Sequence, residues 1–132
     1  MAGIIVADTL QDGAGNSTAM DNAIYGSAKA WVNFSAAGGT ITIRSNYNVS
    51  SVTRTATGFY TIVMTNALVD ANYVIMGNAS ENWGTSNIIA PQLNTNSSDT
   101  QTAPTNTTFL VKVANTGGTG TDVTYINLAV IR

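Results

Sequence analysis

The side chains able to do ionic chemistry in this chain are few: seven carboxylates, five basic groups, no His and no Cys. General acid–base catalysis wants a His, or two carboxylates held in unlike environments. The acids are Asp8, Asp12, Asp21, Asp70, Glu81, Asp99 and Asp122. Asp70 opens a turn and Asp122 precedes a strand, where a short carboxylate satisfies backbone N–H groups. Only Asp70 and Glu81, which flank one strand, are placed to converge, and the structural reading of both is preferred. Serine chemistry lacks a base, and there is no Gly-x-Ser-x-Gly elbow. Without Cys there are no thiol nucleophiles, disulfides or Cys-type zinc sites. The expectation is a protein that is not an enzyme, with no catalytic residue, cofactor or metal. Asp12 to Asp21 faintly resembles a calcium loop, but its spacing is wrong and the bidentate Glu is missing. A structural Ca²⁺ held by loop carbonyls is the one metal left open.

Binding chemistry is the other possibility. Lys29, Arg44, Arg54, Lys112 and Arg132 do not cluster, and the net charge is −2. Nucleic acid needs several phosphates neutralised along one face, so neither it nor an anionic membrane is an expected partner. No apolar run approaches the ~18 residues of a membrane span, and the start has no basic region of the secretory type. Trp83, in the polar loop Ser80–Thr85, could with Asn82 stack on a receptor glycan. The plainer reading tucks this Trp against the domain or a neighbour, its indole N–H bonded locally. Trp31 opens a strand and reads as core or interface; with Tyr25 it is a candidate for a trimer interface.

Two segments must position these residues. Residues 1–28 read as an N-terminal arm. Ile4, Ile5, Val6 and Leu10 are its candidate contacts with a shell or a subunit. Gln11–Ser17 is a turn. Ser17–Ala30 has room for one or two helical turns, with Met20, Ile24 and Ala28 at helical spacing and Gly26 limiting their length. So short a helix is marginal alone, and the arm is expected to dock elsewhere.

Residues 29–132 switch to period two. Trp31–Phe34, Thr40–Arg44, Phe59–Thr65, Tyr73–Gly77, Phe109–Val113 and Val123–Ile131 read as strands, and Ile88–Pro91 as a weaker one that its Pro confines to an edge or an end. Val49 and Val52 lie three apart, which predicts a bulge at Ser50-Ser51. Thr57-Gly58 is a hairpin signal. Tyr73–Gly77 and the last strand are apolar on both sides, which predicts central positions. Asn94–Thr108 reads as an exposed loop. The fold class is all-β: an antiparallel sandwich of seven or eight strands, Greek-key or jelly-roll-like, with an extended N-terminal arm.

Four short motifs occur in order: Ala30-Trp31-Val32-Asn33-Phe34, Asn48-Val49-Ser50-Ser51, Thr57-Gly58-Phe59-Tyr60 and Asp70-Ala71-Asn72-Tyr73. In this order they resemble a β domain of tailed-phage virion proteins, frequent at the C-terminus of fibre and tail proteins of phages with marine and cyanobacterial hosts. Thr9–Asn16 is similar to the connector that often precedes it. The resemblance covers residues 28–132 and implies a homotrimeric structural component of the virion, on the particle surface, with no catalytic residues. A fibre normally has a shaft upstream. Twenty-eight extended residues reach at most ~100 Å and build none. The favoured expectation is therefore a capsid decoration or cement protein that grips the major capsid protein or other virion proteins with its arm. The alternative is a tail-fibre tip that recognises a host surface glycan.

Overall fold

Alternating strands with Gly- and Asn-rich punctuation fold as two stacked sheets, because each strand has one face to bury. The computed structural model describes residues 7–19, 23, 26–80, 90–93, 95–115 and 117–132. Strands β1 (Thr9–Gln11) and β2 (Ser17–Ala19) form a separate antiparallel hairpin. Eight more follow: β3 (Ala28–Ser35), β4 (Thr42–Tyr47), β5 (Val49–Ala56), β6 (Phe59–Met64), β7 (Val74–Ser80), β8 (Ala90–Leu93), β9 (Thr108–Ala114) and β10 (Tyr125–Ile131). The first sheet has the order β4-β3-β10-β7 and the second β5-β6-β9-β8. All pairings are antiparallel. The chain is an all-β sandwich.

The core lies between the sheets. Val32, Phe34, Ile75, Ile126, Leu128 and Val130 of the first sheet meet Val49, Val52, Tyr60, Ile62, Met64, Phe109, Val111 and Val113 of the second. Phe34 and Tyr60 cross the gap edge to face, with ring centres 5.3 Å apart. The register of β5 shifts between Val49 and Ser51, so Ser50 is the extra residue of a bulge. That bulge turns both Val49 and Val52 inward, as their spacing predicts.

The same turn chemistry recurs in three hairpins. Asp12, Asn96 and Asn115 each accept two backbone N–H bonds on Oδ1, from the residues two and four positions on, at 2.9–3.0 Å. In each, the fourth residue has positive φ: Gly15, Asp99 and Gly118. This is a type I turn closed by a bulge residue in the left-handed region. The long polar stretch after residue 94 therefore contains an ordered turn rather than only open loop.

Two expectations change. Residues Ser17–Ala19 and Ala28–Ala30 are strand, not helix; of the positions at helical spacing, Met20 and Ile24 lie outside the described residues. Strand β7 is an edge strand, not a central one. Its two-sided apolar character arises because Val74 and Met76 face outward and stay exposed. Strand β10 is central as expected, yet its outward side is not covered either. The edge position of β8 agrees with its Pro91.

Candidate functional site

Outward positions of the first sheet carry side chains that an ordinary solvated sheet face lacks. Trp31 on β3 is paired across to Tyr47 on β4 and to Ala129 on β10, and Ala129 to Met76 on β7. One row thus reads Tyr47, Trp31, Ala129, Met76 across all four strands. Two residues along each strand, the next row carries Ser45, Asn33, Asn127 and Asn78. Asn33 Nδ2 donates to Asn127 Oδ1, and Asn127 Nδ2 donates to Asn78 Oδ1 at 2.8 Å. At one end Arg44 lies over the Tyr125 ring, 4.4 Å from its centre, and donates to the Thr124 carbonyl at 2.7 Å. Trp31, Tyr47, Val74, Met76 and Tyr125 are all exposed, Val74 to 61% and Tyr47 to 57%. A depression of about 340 Å³ opens here, lined by Met76, Gly77, Asn78, Asn127, Leu128 and Ala129.

The second sheet is built differently. On its outward side Phe59, Lys112 and Ala114 are buried. Lys112 Nζ lies 5.2 Å from the Phe59 ring centre and pairs with Asp99, which the 96–100 turn holds out toward it. Asp99→Ala strands an ammonium that is only 6% exposed and is expected to destabilise the fold by about 1–2 kcal/mol. Lys112→Met, which removes the charge and keeps the stem, is expected to be near neutral. Equal losses from the two variants in urea melts would refute this reading of the pair.

Asp122 is the most enclosed carboxylate among the described ion pairs, and both its oxygens are engaged. Its Oδ1 accepts from Gly58 N and Tyr60 Oη, both at 2.8 Å, and its Oδ2 from Arg54 Nε at 2.8 Å. Burial pushes its pKa up, but the bonds from Arg54, Gly58 and Tyr60 outweigh burial and bring it below the usual carboxylate range. Burial first, then the bond to Asp122, pushes the Tyr60 phenol well above its ordinary value.

Asp70 is likewise occupied. It accepts from Asn72 N at 2.7 Å and pairs with Arg132, and both bonds lower its pKa. Its sequence-predicted companion Glu81 lies outside the described residues, as do Asn82 and Trp83. Asp12 spends its carboxylate on the β1–β2 turn and on Asn16 Nδ2. Among the described residues no three His, Cys, Asp or Glu side chains gather where they could hold a metal ion. No described helix is long and apolar enough to cross a membrane.

No family model, curated protein or solved structure matches the chain. The site must therefore be judged on its own chemistry. Of the arm and interface candidates, Leu10 sits exposed on β1 and Trp31 exposed on β3, so Trp31 is not a core residue. Ile4, Ile5, Val6 and Tyr25 lie outside the described residues. The amide row was not found from sequence. Its three Asn residues sit among many others, and only strand pairing brings positions 33, 78 and 127 into line.

Proposed function

We propose that the chain is a non-catalytic structural module of a tailed-phage particle, a capsid decoration or cement protein whose N-terminal segment docks on neighbouring shell subunits and whose sandwich is displayed outward as a homotrimer. The four ordered motifs supply the phage assignment. The observation that carries the docking role is the β1–β2 hairpin, whose six strand residues are all exposed. Two strands alone are at best marginally stable in water. A hairpin that gains so little from its own chain acquires stability from a partner surface, here the major capsid protein or another virion protein. Deleting residues 1–19 is expected to abolish attachment to particles while shifting the melting temperature of the sandwich by no more than about 2 °C. Decoration by the deleted protein at wild-type occupancy would sink the docking role. Sedimentation equilibrium checks the trimer, for which Trp31 and Tyr25 are the interface candidates.

A second reading, the tip of a tail fibre that recognises a host surface glycan, is favoured by one observation. The outer face of the first sheet pairs exposed aromatic residues with a row of amides. Such a mixture suits a ligand with both apolar and hydroxyl surfaces.

A further inference from the structure

We infer that the glycan site of this second reading, on which the inference rests, is the outer face of the first sheet, and that its ligand is a neutral glycan. One sugar ring lies in the trough between Trp31 and Met76, and its hydroxyls bond to the Asn33–Asn127–Asn78 row. Residues Trp31 and Met76 stand two strand spacings apart, about 10 Å, with the small Ala129 between them in register. Met76 and Ala129 line the depression itself, and Trp31 flanks it one strand away. The depression of about 340 Å³ over Ala129, Asn127 and Asn78 lies within the usual range of ligand clefts.

The polar half of the site is counted from the amides. Each Asn side chain offers two donors and two lone pairs. The row uses one donor of Asn33, one donor and one acceptor of Asn127, and one acceptor of Asn78. Asn78 Nδ2 remains as a donor at one end and Asn33 Oδ1 as an acceptor at the other. Sugar hydroxyls both donate and accept, so they satisfy either end. Their ring C–H faces lie against Trp31, whose indole is a rigid apolar plate. The outward positions from Trp31 to Ser35, Tyr125 to Ile131 and Val74 to Ser80 include no charged residue. Lys29 and Arg44 stand at opposite ends of the face, and Arg44 is held by Tyr125 and Thr124. This pattern fits a neutral ligand better than a uronate or sialate.

A second copy of the chain is the competing occupant. Covering the row with another copy's Trp31, Ala129 and Met76 would bury amide groups without giving them partners, which is unfavourable. A glycan brings its own partners.

Affinity electrophoresis tests this, with the purified chain run through gels that each contain a neutral glucan, galactan or mannan, beside a polygalacturonate gel. Retardation is expected in at least one neutral gel and is weaker in polygalacturonate. Trp31→Ala is expected to weaken it about tenfold or more, and Asn78→Ala about three- to tenfold. Both side chains are solvent-facing, and unchanged melting temperatures verify that the variants fold. Retardation that Trp31→Ala leaves unchanged overturns this site and keeps the glycan reading. No retardation in any neutral gel overturns both. Self-association of the wild type that Trp31→Ala abolishes hands the face to a second copy and overturns the inference.

Discussion

Gly58→Ala is expected to be strongly damaging, costing about 3 kcal/mol or more in urea unfolding. Gly58 closes the two-residue turn between β5 and β6 with φ of 76°. Its carbonyl accepts from Val113 N at 2.7 Å, and Val113 O in turn accepts from Thr121 N at 2.9 Å. A Cβ on residue 58 would stand 2.4 Å from both Thr121 N and Val113 O, and 2.7 Å from Gly120 C. These are backbone atoms locked by hydrogen bonds, so no rotamer change relieves the clash. Positive φ adds about 1–2 kcal/mol for any residue with a Cβ. Gly118→Ala is the control, because its φ is 80° but nothing lies within 4 Å of the added methyl; it should lose only that conformational part. Losses within about 0.5 kcal/mol of each other would show that the close approach at Gly58 carries no weight.

Asp122→Asn is expected to cost about 2–3 kcal/mol at neutral pH. One carboxylate ties the β5–β6 turn to the segment entering β10, through Gly58 N, Tyr60 Oη and Arg54. An amide can still accept from Gly58 and Tyr60, but its NH₂ then faces the Arg54 guanidinium. Arg54 is 29% exposed and turns partly to water, which keeps the loss below that of a fully enclosed pair. The pH dependence follows from the direction of each shift. Asp122 has a lowered folded pKa, so its stabilisation is present above the unfolded value of about 3.9 and is lost as the pH falls through the folded value. Tyr60 has a raised folded pKa, so its contribution is complete below about pH 10 and is lost above it. The wild type should therefore lose stability on the acid side below about pH 4, and the Asn variant should lose less there. Parallel acid limbs for the two proteins would refute the role given to Asp122.

Much of the sandwich was legible because strand burial has a local signature. The alternation of Tyr60, Ile62 and Met64 names the buried side of β6, and all three are buried. The three-residue step from Val49 to Val52 announced the Ser50 bulge. Gly58 marked its hairpin for the same local reason: the turn demands positive φ. The strand at Tyr73 failed at the point where local signals end. Val74, Ile75 and Met76 are alike in hydropathy, yet only Ile75 faces the core. The site was less legible still. Trp83 drew attention through its polar loop, whereas Trp31 looked like any strand aromatic until its outward row was assembled.

Taken alone, the amino-acid order determined the class of fold. Period-two apolar runs broken by Gly and Asn admit only packed sheets. The tertiary structure decided which of two apolar faces is left uncovered, and which distant residues share it. That choice depends on pairing between strands as remote as β3 and β10, whose partners Asn33 and Asn127 lie 94 residues apart. A strand's period says that it has two sides, but only the neighbours that the whole chain supplies determine which side meets water.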